Sequence, residues 1–106
     1  MVEFTLDKGA ATLKCTFKGR MDSHASMEVD KEVGEQLKKT MDEVPSDKLS
    51  IVFDLSSVDY IASAFIRVCL QMAKSVNVGR FSVKNTSPSV MKIFVMTGLD
   101  KELNVS

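Results

Sequence analysis

The sequence predicts an α/β domain: a mixed β-sheet that opens with an antiparallel hairpin and carries helices packed on it. Three observations predict it. Two period-two segments, around Phe4 to Leu6 and Leu13 to Phe17, are separated by Lys8-Gly9. Three later stretches repeat apolar residues at steps of three and four, the signature of amphipathic helices. Between those stretches lie two short strand-like runs, and strands separated by helices favour parallel pairing with right-handed crossovers. A chain of 106 residues, 44% apolar and 26% charged, fits one domain over residues 1–106 with one core.

In the hairpin, Phe4 and Leu6 alternate with Glu3, Thr5 and Asp7, and Leu13, Cys15 and Phe17 face inward. From about Ser23 to Met41, Ala25, Val29, Val33, Leu37 and Met41 form one helical stripe. Glu28, Asp30 and Glu32 lie in its early turns and Lys38 and Lys39 near its end, complementing the helix dipole. Pro45-Ser46-Asp47 breaks that pattern, and Leu49 to Leu55 reads as a buried central strand. The next helix places Ile66, Cys69, Leu70, Ala73 and Asn77 on one face, with Gly79 where a C-terminal cap belongs. Phe81 to Val83 is another strand. A last helix follows, with Ser87 as N-cap, Pro88 in its first turn, Val90, Ile93 and Phe94 inward and Gly98 at its end. Leu103 to Val105 supplies one further extended piece.

The bulk numbers exclude several function classes. Lys and Arg total 14, as do Asp and Glu, so no net field attracts nucleic acid or an anionic membrane. No apolar run is long enough to insert in a membrane, and Met1 to Thr5 is no signal segment, so the cytoplasm is the expected compartment. Cys15 and Cys69 are expected to be separate buried thiols. The lone histidine, His24, has only sequence neighbours beside it and forms no triad. Phosphate-cradling glycine loops and metal-binding spacings are absent, so no cofactor or metal is expected and the chain reads as a binding protein rather than an enzyme.

Ser63 stands where the helix after Tyr60-Ile61-Ala62 begins, the position of an N-cap. The same geometry suits a phosphate, whose charge of about −1.5 to −2 is favoured by the positive end of a helix. Taking Ile66 as core-facing, Phe65, Val68 and Met72 fall on the helix flank at 100° per residue. That flank either docks a partner beside Ser63 or lies under a neighbouring helix, and exposed it would also admit a weak homodimer.

Three segments, Gly19-Arg20-Met21-Asp22, Phe53 through Ser63, and Asn85-Thr86-Ser87-Pro88 through Ile93-Phe94 to Thr97-Gly98-Leu99, together carry a resemblance over nearly the whole chain. In order and spacing they resemble the STAS domain of bacterial anti-sigma-factor antagonists. The resemblance implies a partner switch: the unmodified protein binds an anti-sigma factor that is also a serine kinase, phosphorylation releases it, and a serine phosphatase resets it. It implies Ser63 as phosphoacceptor and Asp22 as the acidic residue lining the same surface; Ala64, Phe65, Arg67, Val68 and Met72, from the start and flank of the helix, complete the expected partner-binding surface. The family's usual Asp-Ser-Ser/Thr-Gly-Leu-Gly is here Ala62-Ser63-Ala64-Phe65-Ile66-Arg67, which keeps the acceptor and replaces its neighbours. A constitutive, non-switching STAS subunit of a lipid ABC-type transport or signalling complex is the alternative.

Overall fold

The computed structural model describes residues 1–106. Its elements are strand β1 (Val2–Asp7), strand β2 (Thr12–Lys18), helix α1 (Ser23–Met41), strand β3 (Ser50–Ser57), helix α2 (Ser63–Lys74), strand β4 (Phe81–Lys84) and helix α3 (Pro88–Thr97). The four strands pair in the order β1-β2-β3-β4. β1 and β2 are antiparallel, as a hairpin requires, whereas β2–β3 and β3–β4 are parallel, as helical crossovers require. The expected mixed sheet is therefore present. Val105 adds one parallel bridge to Val83, so the expected terminal strand shrinks to a single pair.

Strand alternation decides which sheet face carries the core. Leu13, Cys15 and Phe17 of β2, Ile51, Phe53 and Leu55 of β3, and Phe81 and Val83 of β4 are all buried. Lys14, Lys18 and Lys84 on the opposite positions are exposed. The covered face holds a cluster of four rings. Phe17 meets Phe53 and Phe65 edge-on at centroid distances of 4.7 and 5.1 Å, and Phe53 meets Phe81 at 5.0 Å. Such pairs contribute about 0.5–1.5 kcal/mol each beyond their buried area.

Helix α3 follows its local signals closely. Ser87 Oγ accepts the Val90 N–H at 3.2 Å, Pro88 opens the helix, Val90 and Phe94 are buried, and Gly98 closes it at φ 75°. That left-handed conformation favours glycine because it carries no Cβ. In α1, Val29 and Val33 are buried and Ala25, Leu37 and Met41 pack partly against the core. Lys38 and Lys39 occupy its last turn, but its first turn holds no acid; the negative group at that end is the cap, Asp22.

Helix α2 corrects two expectations. Its buried residues are Phe65, Ile66, Val68, Cys69 and Met72, while Leu70 and Ala73 are only half-buried and Asn77 is exposed. At 100° per residue the inward face is turned by about 80° from the expected face of Ile66, Cys69, Leu70 and Ala73. The Phe65 ring, held between Phe17 and Phe53, sets that rotation. Of the two settings expected for the Phe65, Val68 and Met72 flank, docking stripe or covered surface, the covered one is present, and the flank supplies no surface for a homodimer. The helix also ends at Lys74 with Ser75 as C-cap, so Gly79 caps nothing; at φ 84° it lies in the turn where the Arg80 N–H reaches Asn77 O.

Cys15 and Cys69 are both free and buried, as expected. Burial pushes the Cys15 thiol up to about 12 and raises Cys69 as well. Neither forms the nucleophilic thiolate readily at neutral pH. A thiol reagent at pH 7.5 should therefore label no cysteine in the folded protein within minutes and both after denaturation; rapid native labelling of either would contradict this packing.

Candidate functional site

The site lies at the carboxyl ends of the parallel strands β2 and β3, where the chain turns into α1 and α2. Three backbone bonds staple the two turns together. The Gly19 N–H donates to Ser57 O at 3.1 Å, the Met21 N–H to Tyr60 O at 3.0 Å and the Ala62 N–H to Met21 O at 2.8 Å. Met21 and Ile61 form a parallel bridge, and both side chains are buried. The starts of α1 and α2 are consequently held side by side. Above them, the Arg20 guanidinium stacks 4.0 Å from the centre of the Tyr60 ring.

Asp22 is the N-cap of α1, its Oδ1 accepting the Ala25 N–H at 2.9 Å. That bond satisfies an orphan donor and leaves the half-buried carboxylate facing the site's end of the fold. Ser63 departs from expectation by one residue. Ala62 is the N-cap of α2, extended at φ −92° and ψ 166°, and no side chain caps the helix. The bridge through Ile61 keeps the backbone extended as far as Ala62, so helical geometry starts only at Ser63. Ser63 is exposed, and its hydroxyl is not committed to the cap.

The residues around Ser63 divide between surface and core. Arg67 is exposed and Ala64 half-buried, whereas Phe65, Val68 and Met72 are 0%, 4% and 5% exposed. The partner-binding role expected of those three is therefore corrected: they face the sheet and α1. What the structure offers instead is a shallow cleft of about 80 Å³ between α1 and α2. Ser26, Met27 and Asp30 line it from α1, and Ala64, Arg67, Val68 and Gln71 from α2, with Val68 forming part of its floor. Met27 is 72% exposed, an uncovered apolar side chain on its rim. Met27, Asp30 and Gln71 are not legible as site residues in the sequence, since only the packing of two distant helices brings them to Arg67.

His24 is exposed and pairs with Glu28 one turn along at 2.7 Å. Neither is bonded to Ser63. No group of three or more His, Cys, Asp and Glu side chains is placed to hold a metal, and no helix is long and apolar enough to cross a membrane. The arrangement presents an exposed hydroxyl at a helix start, a carboxylate at the neighbouring helix start and a cleft beside them.

Comparison with known proteins gives the same architecture. The model of the STAS domain family matches residues 5–106. The unphosphorylated form of the anti-sigma factor antagonist SpoIIAA has a TM-score of 0.74 at 17% identity, covering 100% of this chain and 88% of that one. An anti-sigma factor antagonist from Mycobacterium paratuberculosis scores 0.75 at 18% identity, over 99% of this chain and 85% of that one. The Bacillus cell fate determinant SpoIIAA in its phosphorylated form scores 0.67 at 17% identity, over 100% and 91% of the two chains. At such identities the likeness is one of fold. A search of curated protein sequences finds no match.

Proposed function

The chain belongs to the STAS domain family, and we propose that within it this protein is a non-catalytic partner-switch module of the anti-sigma-factor antagonist kind. Unmodified, it binds an anti-sigma factor that is also a serine kinase, through Asp22, Ser63, Ala64, Arg67 and the α1–α2 cleft. Phosphorylation of Ser63 releases the partner, and a serine phosphatase restores binding. The observation that carries this reading is the exposed, uncapping Ser63 at the first position of α2, beside the start of α1. A solved structure of similar fold exists in a phosphorylated form, which supports a modifiable module.

The chemistry supports release as well as acceptance. A phosphate on Ser63 is favoured by the dipole of α2 and, one turn along the exposed side, by Arg67. Modification then changes the surface charge without unfolding the helix. Incubation with the cognate kinase and ATP, followed by mass spectrometry, should place one phosphate on Ser63 and none on the Ser63→Ala variant. A phosphate carried elsewhere, or none, overturns the assignment.

The replaced residues Ala62, Ala64, Phe65 and Arg67 favour a second reading, a constitutive STAS subunit of a lipid ABC-type transport or signalling complex. Phe65 in particular is committed to the core. Co-purification with a transport ATPase in place of a kinase distinguishes the two.

A further inference from the structure

On the far side of the sheet from the helices, Asp54 of β3 is 6% exposed, the only buried carboxylate of the chain. It has partners on three sides. Its Oδ1 accepts the Ser56 N–H at 3.0 Å and the Asn85 Nδ2 at 3.3 Å, and its Oδ2 lies 3.4 Å from Lys14 Nζ. These bonds outweigh the opposing effect of burial and keep the carboxyl below its ordinary value, so the group is charged at neutral pH. A buried charge with this many partners needs a purpose beyond solubility.

Its position suggests one. Thr16 pairs with Asp54 but Lys18 pairs with Ser57, so β3 carries an extra residue between Asp54 and Ser57. This bulge turns the strand end just before the segment that reaches Ser63. The Ser56 amide within the bulge is the one that Asp54 accepts. Immediately after the bulge, Ser57 O receives the Gly19 N–H, the first of the three bonds that staple the two helix starts. Asn85, at φ 60°, ties Asp54 to the turn before α3, and from the first turn of α3 itself Ser89 Oγ donates to Asp59 O at 3.5 Å. Asp54 thus holds the site segment at its root and, through Asn85, on its other flank.

We infer that Asp54 is a positioning residue for the Ser63 site, fixing the bulge at Leu55-Ser56 and docking the turn before α3 so that the segment from Ser57 to Ala62 keeps its register on Gly19–Met21. The functional meaning of that register rests on the partner-switch reading, but the positioning itself does not. Lys14 supplies charge balance, whereas Ser56 and Asn85 supply the geometry.

The test is amide hydrogen exchange on the unmodified full chain. In Asp54→Ala the amides of Gly19, Met21 and Ala62 should exchange at least about tenfold faster than in the wild type, while those of Leu13, Cys15, Ile51 and Phe53 change far less. Asp54→Asn, which retains an acceptor for the Ser56 N–H, should restore most of the protection. If Asp54→Ala does not fold, Asn85→Ala should show the same pattern with a smaller factor. Unchanged protection at the three stapling amides, or an equal loss at every amide, would overturn the inference. Because the readout requires no partner or kinase, its failure is distinct from a failure of phosphorylation at Ser63.

Discussion

Phe65→Asp should abolish the cooperative fold rather than yield a folded protein that merely fails to bind. The ring is fully buried and packs edge-on against Phe17 at 5.1 Å and tilted against Phe53 at 6.1 Å. Deleting a buried phenyl ring costs about 3–5 kcal/mol, and the introduced carboxylate adds a desolvation cost because no partner waits for it there. Against a total stability of about 5–15 kcal/mol, that is a large share. At about 4–8 °C per kcal/mol for a domain of this size, a thermal melt followed by circular dichroism should lose at least about 15 °C or its sigmoidal transition altogether. A melt within a few degrees of the wild type would return Phe65 to the surface and restore the docking stripe.

Ser63→Asp should do the reverse, leaving the fold intact and removing the partner. An acid at the first position of α2 interacts favourably with the helix dipole and stands one turn from the exposed Arg67. Both effects are worth a few tenths of a kcal/mol in favour of folding, so the melting temperature should hold or rise slightly. At a partner interface, by contrast, the new charge joins the carboxylate of Asp22 at the adjacent helix start. Repulsion and the cost of desolvating an unmatched charge should weaken binding by about tenfold or more. Titration calorimetry against the purified partner checks this, with Ser63→Ala binding as the wild type does. Equal affinity of all three proteins would remove Ser63 from the interface.

What was legible in the sequence follows from which forces are local. Helix α3 is readable because Ser87, Pro88 and Gly98 act within one turn of themselves. The sheet is readable because inward alternation in β2 and the apolar run of β3 report burial directly. Helix α2 is not readable in the same way, since apolar residues occupy two adjoining arcs of it. Periodicity cannot choose between an arc centred near Phe65 and Cys69 and one centred near Leu70 and Ala73. Phe17 and Phe53, brought there by the sheet, make that choice. The misplacement of the α2 cap has the same origin, because the bridge that holds Ala62 extended comes from Met21. At the proposed site, Asp22 and Ser63 are legible through the motifs that carry them, as positions and not as roles. The cleft residues Met27, Asp30 and Gln71 belong to no motif and exist as a group only after α1 and α2 pack.

In the proposed switch, a phosphate on Ser63 controls partner binding. The most direct measurement compares the affinity of the partner for the unmodified chain and for the chain phosphorylated at Ser63, with circular dichroism confirming that both are folded. Phosphorylation should weaken binding by about tenfold or more, and phosphatase treatment should restore it. Equal affinities for the two forms would contradict the switch.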